Sequence, residues 1–300
     1  MNLLITGAWN TSERELSKLE ELGFKVFLLQ NESDVLPLDA GKIDAVVCNS
    51  LFLFHPVGEF TRLKLIQLTS AGLDRVPVEE IRARGIALFN AAGVYSIPMA
   101  EFALCGVLQL YKQSRFFYEN QRIKQWEKHR GLIELNGKTV LIVGCGSVGR
   151  ACAERFRAFG CKVDGVDIVS IDSPLFDRVI PIGEIADALP AADVVLLSLP
   201  LTKKTEGLFD SRLFSCMKDG AVFVNLARGR LADPEALLSN LPRFRGAVLD
   251  VFPEEPLDSL SPFWEEEKVV LTPHVSFIGD GNAVRLNQVI QHNLKGFVNE

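Results

Sequence analysis

Three glycines near the middle of the chain have the spacing of a phosphate-binding turn. Gly144, Gly146 and Gly149 form a G-x-G-x-x-G pattern directly after a β-branched run at 139–143, which predicts a buried strand. A helical pattern follows. In such a turn the first glycine permits the bend, the second lets a pyrophosphate approach the backbone, and the third lets helix and strand pack closely. Because free N–H groups at the helix start would face the pyrophosphate, the sequence predicts a dinucleotide site.

An acidic residue at the end of the next predicted strand supports this interpretation. Asp167 follows Gly149 by 18 residues and is placed to accept hydrogen bonds from the adenosine ribose hydroxyls. The alternative is a glycine-rich turn with only a structural role, which would not require the acid. A carboxylate here also repels the 2′-phosphate of NADP, and residues 168–170 supply no cation to offset it. We therefore expect NAD rather than NADP as the cofactor.

Three further side chains could meet near the same turn. Arg228, Glu255 and His274 each follow a predicted strand, and ligands of open parallel sheets bind outside the carboxyl ends of the strands. Taken singly, each has a simpler explanation: a surface cation, a turn residue and a loop histidine. Their common position after strand ends is what indicates a shared crevice. The strands concerned are predicted at 221–226, 246–249 and 269–271.

Strands and helices alternate along the chain, which predicts parallel sheets covered on both faces. Ser12 and Glu15 form a capping-box pattern at the start of the first helix. Because 300 residues exceed what one hydrophobic core usually organises, we predict two domains. The expected fold is α/β, with two doubly wound, Rossmann-like domains and a cleft between them. The expected substrate domain is discontinuous, 1–97 plus 278–300, and the NAD-binding domain covers 98–277.

Residues 97–128 show a long helical pattern with much aromatic surface. One side carries small and apolar residues, and four aromatic residues follow further along: Phe116, Phe117, Tyr118 and Trp126. This is more aromatic surface than one helix face normally shows. We interpret it as a subunit interface together with the crossing between the two domains, and we expect a homodimer. The alternative is that these side chains pack within one chain.

The bulk properties exclude several classes of protein. A formal net charge of −6 and the lack of a basic run argue against nucleic acid as a partner. We find no signal-peptide pattern and no apolar stretch long enough to span a bilayer, so we expect a cytoplasmic protein without a membrane partner. The six cysteines show no metal-ligand spacing, and we expect reduced thiols and no metal. Cys145, between two loop glycines, is a candidate for oxidation or simply a small residue tolerated in a turn.

The chain resembles the D-isomer-specific 2-hydroxyacid dehydrogenases over nearly its whole length. The resemblance implies an Arg–Glu–His active site that transfers a hydride between nicotinamide and C2 of a small 2-hydroxy or 2-oxo acid. Seven motifs in the order typical of that family carry it: Ser70-Ala71-Gly72-Leu73-Asp74, Ala100-Glu101, Gly144 to Gly149, Pro200-Leu201-Thr202, Asn225 to Gly229, Leu249 to Phe252 with Glu255-Pro256, and Thr272-Pro273-His274.

The same resemblance assigns roles to individual residues. It implies that His274 is the acid/base, that Glu255 orients its ring, and that Arg228 holds the substrate carboxylate and polarises the oxo group. The backbone N–H groups of Ala71 and Gly72 should complete the carboxylate cradle. The expected cofactor contacts are Gly144, Gly146, Ser147, Val148, Gly149, Asp167, Leu199, Pro200, Thr205, Ala227 and Asp250.

Two segments depart from the pattern of that family. Residues 275–281 lack the usual small, hydroxyl-rich run, and the loop at 49–55 is unusually aromatic. Both should face the substrate side chain, so we expect a substrate less polar than phosphoglycerate. An NAD(H)-sensing binding protein, similar to the corepressors that resemble this family, is the alternative function. The acidic net charge weighs against it.

Overall fold

The computed structural model describes residues 1–299 and divides the chain into two compact units. The first unit consists of Met1–Tyr95 together with the chain from Asp280 onward, and the second is Ser96–Gly279. Each unit contains one sheet in which every strand pair is parallel.

The first unit is built on a five-stranded sheet with the order β2-β1-β3-β4-β5. This is one of the two common doubly wound orders, in which the strand order reverses between β1 and β3. Its elements up to Tyr95 are β1 (Asn2–Thr6), α1 (Glu13–Glu21), β2 (Lys25–Leu29), β3 (Ala45–Cys48), β4 (Leu65–Leu68), α2 (Val78–Ala83) and β5 (Ala87–Phe89).

The second unit is built on a seven-stranded sheet with the order β12-β11-β10-β9-β6-β7-β8. This is the dinucleotide-binding order extended by one strand, and the reversal lies between β6 and β9. Its elements are α3 (Ser96–Tyr111), α4 (Ser114–Arg122), β6 (Thr139–Val143), α5 (Ser147–Ala158), β7 (Lys162–Asp167), β8 (Arg178–Pro181), α6 (Ile185–Ala188), β9 (Val194–Leu197), α7 (Ser211–Cys216), β10 (Val222–Asn225), α8 (Pro234–Asn240), β11 (Gly246–Leu249) and β12 (Val269–Leu271).

The last helix, α9 (Asn282–Asn299), belongs to the first unit. It buries Ile290 and Leu294 in a core shared with β1. The amide of Asn293 also donates to Gln67 Oε1 on β4 at 2.8 Å. The expected return of the chain to its first half is therefore made by one amphipathic helix.

Both sheets are buried on both faces. Along β6, Val140 and Ile142 pack into one core while Leu141 and Val143 pack into another. The strands of the first unit divide their side chains between two cores in the same way. Such continuous apolar strands are what parallel sheets covered by helices require, and the predicted α/β, Rossmann-like fold class is confirmed.

The single long helix expected at 97–128 is wrong. The first helix ends at Tyr111, and Gln113 adopts a left-handed backbone conformation with φ of 53° before α4 begins. The Gln113 side chain donates to the carbonyl of Leu110 at 3.0 Å, which satisfies one of the orphan carbonyls at the helix end. The predicted span is divided between two helices, and residues 123–128 lie outside both.

Two further findings concern the described residues as a whole. None of the helices in residues 1–299 combines the length and apolarity needed to cross a membrane. Over the same range, no group of three or more His, Cys, Asp or Glu side chains could hold a metal ion.

Candidate active site

The glycine-rich turn joins β6 to α5 at the reversal of strand order. Gly144 has a φ of 100°, and a β-carbon there would lie 2.8 Å from the backbone nitrogen of Leu199, so only glycine suits this position. A β-carbon on Gly149 would collide with the carbonyl oxygen of Gly144. Both glycines let α5 start close against the sheet, beside the loop that follows β9.

The N-terminus of α5 is open. Its N-cap residue, Gly146, gives no side-chain cap, and a β-carbon there would meet no protein atom within 4 Å. Gly146 and Ser147 are exposed and Val148 is half-buried. Since the first N–H groups of a helix have no intrahelical acceptor, these residues fit the pyrophosphate of a dinucleotide.

Asp167 lies at the end of β7, and its carboxylate already organises the turn. It accepts hydrogen bonds from the backbone of Cys145 at 2.8 Å, Ile168 at 2.7 Å and Val169 at 3.3 Å. The carboxylate is half-buried, so its remaining acceptor capacity can face a ribose. Arg150, which the sequence analysis missed, donates to the Cys145 carbonyl at 3.2 Å. The sequence could have indicated Arg150, because it is a cation directly after the third glycine of the motif.

Cys145 is buried inside the same turn. Burial, together with the neighbouring charge of Asp167, raises the pKa of its thiol to about 11. The thiol is therefore protonated at neutral pH, which makes it a weak nucleophile. The structural explanation for this cysteine accounts for its position better than the redox one.

Glu255 and His274 form a direct pair. Glu255 Oε2 lies 2.8 Å from His274 Nδ1, and its other oxygen accepts from the backbone N–H of Phe252 at 3.0 Å. Both side chains are 37% exposed, so the pair opens to solvent. The ring of Phe277 packs edge-on against the imidazole with a centroid distance of 6.0 Å. The geometry leaves His274 Nε2 as the ring nitrogen directed away from the carboxylate.

Asp250 holds the backbone around His274. The carboxylate is fully buried and accepts from Thr272 Oγ1 at 2.6 Å, Val275 N at 2.8 Å and Ser276 N at 2.9 Å. His274 N also donates to the Asp250 carbonyl at 2.8 Å, and His274 has a left-handed φ of 53°. An unusual backbone conformation of this kind persists only when its surroundings enforce it. The expected contact of Asp250 with the cofactor remains a prediction.

Arg228 follows β10, the strand next to β11 and β12. The side chain of Asn225 fixes the backbone of this loop. It donates to the Arg228 carbonyl at 2.9 Å and accepts from Ala227 N at 3.1 Å. Arg228 Nη1 donates to the Ala227 carbonyl at 2.8 Å. A β-carbon on Gly229 would collide with the Phe252 backbone, so the Arg228 loop packs against the loop that carries Glu255. The sequence analysis gave Asn225 no role, although it stands within a quoted motif.

The loop after β9 carries three of the expected cofactor residues. Leu199 is buried beside Gly144, and Pro200 is exposed. Thr205 Oγ1 donates to the Pro200 carbonyl at 2.7 Å and accepts from Thr202 N at 2.8 Å. Thr205 therefore fixes the shape of this loop at the strand-end edge of the sheet that also carries the glycine turn.

The expected carboxylate cradle belongs to the first unit. Ala71 and Gly72 lie in the loop that follows β4. Within residues 1–299, the backbone N–H groups of Ser70, Ala71 and Gly72 have no protein acceptor. Three consecutive free amides are a suitable site for a carboxylate.

Comparisons with known proteins place this geometry in a family. Residues 104–276 match the model described as "D-isomer specific 2-hydroxyacid dehydrogenase, NAD binding domain". A glyoxylate reductase of Thermofilum pendens is 32% identical over 280 residues, which cover 89% of this chain and 79% of that protein. The chain belongs to the D-isomer specific 2-hydroxyacid dehydrogenase family.

Two further members show how far the similarity extends. An (S)-sulfolactate dehydrogenase of Chromohalobacter salexigens is 28% identical, with 91% of this chain and 90% of that protein covered. A crystal structure of a family member from Aeromonas salmonicida is 29% identical, with a TM-score of 0.84 over 99% of this chain and 95% of that one.

Membership confirms the predicted family and the predicted use of NAD. It also confirms the predicted enzyme class, an NAD-dependent oxidoreductase that transfers a hydride between nicotinamide and a 2-hydroxy or 2-oxo acid. The alternative of an NAD(H)-sensing corepressor is not favoured, because the relatives are dehydrogenases and reductases.

Proposed function

We propose that this dehydrogenase works as an NADH-dependent reductase of small 2-oxo acids that carry one carboxylate and an apolar or short side chain. The contact of 2.8 Å between His274 Nδ1 and Glu255 Oε2 carries the proposal. A carboxylate on one ring nitrogen fixes the imidazole and leaves the other nitrogen for the substrate. This pair is a proton-transfer device, as a carbonyl reduction requires.

Each catalytic residue has a distinct task in the proposed reaction. NADH, when bound, supplies the hydride for C2 of the substrate. Protonated His274 donates its Nε2 proton to the oxo oxygen and becomes neutral, while Glu255 keeps the ring oriented. Arg228 binds the substrate carboxylate and polarises the oxo group, with the amides of Ala71 and Gly72 as the second half of the cradle.

The apolar segments support the proposed substrate class. Leu53 and Phe54 are 62% and 55% exposed, although both are large apolar side chains. Phe277 packs on the imidazole of His274, and Ile278 is 62% exposed. A substrate with a short or apolar tail would bury such surface, whereas a phosphate would not. The name of the T. pendens relative adds glyoxylate to the candidates.

We also propose a preference for NAD over NADP, and the support is the surroundings of Asp167. Its carboxylate is negative, and the next two residues, Ile168 and Val169, are apolar and exposed. A 2′-phosphate placed here would meet an anion without a neighbouring cation in the 168–170 loop.

Initial rates with a panel of 2-oxo acids test the proposal. Glyoxylate, hydroxypyruvate, pyruvate, longer 2-oxo acids and phosphohydroxypyruvate would be compared with NADH and NADPH. We expect the highest kcat/KM for an uncharged-tail substrate with NADH. No turnover of any 2-oxo acid in the panel, together with tight NADH binding, would instead support an NAD(H)-sensing binding protein.

His274→Gln tests the acid/base assignment. We expect a loss of about 10²- to 10⁴-fold in kcat, because general acid catalysis typically contributes that much, while NADH binding is retained. His292→Gln, at an exposed position of α9, is the control and should keep full activity. Turnover within about tenfold of the parent would remove His274 from this role.

We further propose a cytoplasmic homodimer that is formed through the segment 112–132. Trp126 is 98% exposed and Tyr118 66%, and the segment surrounds a groove of about 690 Å³. The same segment of a second copy would bury these exposed aromatic rings. Light scattering should show a dimer for the parent and a monomer for Trp126→Ser.

A further inference from the structure

Each of four consecutive carbonyl groups after β4 has a donor. The Tyr95 hydroxyl donates to Thr69 O at 2.5 Å, and Ala91 N donates to Ser70 O at 2.9 Å. The Asn90 side-chain amide donates to Ala71 O at 2.7 Å, and Ser70 Oγ donates to Gly72 O at 3.1 Å. Three of these donors come from the single segment 90–95, which follows the neighbouring strand β5.

These contacts fix the direction of the backbone N–H groups. In a planar trans peptide the carbonyl of one residue and the N–H of the next point in opposite directions. Holding the carbonyls of Thr69, Ser70 and Ala71 therefore sets the N–H groups of Ser70, Ala71 and Gly72. None of those three amides has a protein acceptor among residues 1–299.

We propose that Asn90 and Tyr95 are positioning residues that aim the amides of the carboxylate cradle at the substrate. The inference depends on the proposed function, because it assumes that a substrate carboxylate binds among the three free amides of Ser70, Ala71 and Gly72. Neither residue needs to touch the substrate. Each acts through one peptide plane, Tyr95 on 69–70 and Asn90 on 71–72.

The Asn90 amide is held in the orientation that this role needs, and the Tyr95 hydroxyl keeps its proton. Asn90 Oδ1 accepts from Ala92 N at 3.3 Å, which directs the NH₂ group of the same amide toward Ala71. Burial raises the pKa of the Tyr95 hydroxyl above its usual value, so the group remains a donor over the working range of pH. We call the two side-chain bonds, Tyr95 to Thr69 O and Asn90 to Ala71 O, the brace.

Asn90→Ala and Tyr95→Phe each remove one bond of the brace. We expect KM for the preferred 2-oxo acid to rise about tenfold in each variant, because a misaimed amide weakens a charge-assisted hydrogen bond. The kcat value should change by less than about threefold, and the Kd of NADH should not change, since NADH binds the second unit. The Kd of oxamate, an unreactive analogue, should rise in parallel with KM.

Asn2→Ala is the matched control. Asn2 Nδ2 donates to the carbonyl of Lys42 at 2.7 Å, in the same unit but at the opposite end of the sheet. Asn2→Ala removes one side-chain amide bond to a backbone carbonyl, as Asn90→Ala does, but it removes no contact to the residues after β4. Only Asn90→Ala should change KM and oxamate affinity.

The possible outcomes separate the two proposals. If the parent reduces 2-oxo acids and both brace variants keep KM and oxamate Kd within twofold of it, the brace is wrong and the proposed function stands. If Asn2→Ala raises KM as much as Asn90→Ala does, the effect is general loosening of the unit, and the brace is again wrong. A parent that neither reduces 2-oxo acids nor binds oxamate overturns both.

Discussion

The chain contains two doubly wound sheets, and they differ at the point where the strand order reverses. One of these points is accessible to a ligand, and the other is filled by side chains of the same unit. In the second unit the reversal lies between β6 and β9, and in the first between β1 and β3. Open α/β sheets offer a ligand crevice at such a point. Both central strands are followed directly by a glycine, Gly144 after β6 and Gly7 after β1. Topology alone would therefore predict two ligand sites.

The reversal in the second unit is left open for a ligand. Only Cys145 and Gly146 separate Gly144 from the start of α5 at Ser147, and the helix has no side-chain cap. The first N–H groups of α5 remain available to an anion. Small residues and an uncapped helix are the features that keep this crevice accessible.

The reversal in the first unit is filled by the chain itself. Trp9 is buried just after Gly7, and α1 starts later, with its N-terminus closed by the Ser12–Glu15 capping box. The carboxylate of Glu32 accepts from Asn49 N and Ser50 N, both at 2.6 Å, and from Thr6 Oγ1 at 2.8 Å.

The difference shows that side chains, not topology, decide which crevice can bind an anion. Glu32 occupies the amides after β3 much as an external carboxylate would. Three consecutive free amides of the first unit lie one strand further along, at Ser70–Gly72 after β4. Three predictions test this comparison, beginning with the largest effect.

Gly149→Ala should close the open crevice. The new methyl group would collide with the carbonyl oxygen of Gly144, so α5 must move away from the sheet. Such overpacking costs about 1–3 kcal/mol, and we expect the Kd of NADH to rise by about 10- to 100-fold. Fluorescence titration with NADH measures the change.

Gly183→Ala is the control for that variant. A β-carbon at Gly183 meets no protein atom within 4 Å, and the residue lies in the same unit. NADH affinity should match that of the parent. An unchanged Kd in Gly149→Ala would show that close packing of α5 is not what binds the dinucleotide.

Glu32→Gln should lower the stability of the first unit, where Glu32 fills the crevice, without changing NADH binding at the crevice of the second unit. The carboxamide replaces one acceptor oxygen by an NH₂ group, which leaves one of the amides of Asn49 and Ser50 without its partner. An unsatisfied donor in a partly buried position costs about 1–3 kcal/mol, and we expect that loss in urea unfolding. The Kd of NADH should stay constant.

The exposed Glu59 provides the comparison for Glu32. Glu59→Gln makes the same chemical change at the surface of the same unit and should leave stability within about 0.5 kcal/mol of the parent. Equal stability of the two variants would mean that the Glu32 contacts contribute nothing to folding.

The features that sequence analysis predicted well are local ones. The strand–turn–helix unit around Gly144 and the capping box of Ser12 and Glu15 depend on residues within a few positions of each other, and both occur in the structure. The family was predicted from motifs, and membership confirms it. The cradle at Ala71 and Gly72 came only from the resemblance.

The features it missed depend on contacts between distant segments. Glu32 meets Asn49 across 17 residues, and Tyr95 meets Thr69 across 26. No periodicity links such pairs, because a loop side chain finds its partner only when the strands have been ordered side by side. The break at Gln113 was missed for a different reason. One residue adopts a left-handed backbone inside an otherwise helical pattern, and the side-chain periodicity does not reveal it.

Ser12→Ala should have the smallest effect and test the closed helix directly. Removing the N-cap side chain typically costs about 1 kcal/mol, so we expect a small loss of stability in urea unfolding. Ser17→Ala, within the same helix, serves as the control and should be neutral, because its hydroxyl donates to the Glu13 carbonyl inside the helix and caps no helix end. NADH affinity should be unchanged in both, because both serines lie in the first unit and the expected cofactor contacts lie in the second. If Ser12→Ala instead altered NADH affinity, the two reversal points would not be independent, and the contrast between an open and a filled crevice would be wrong.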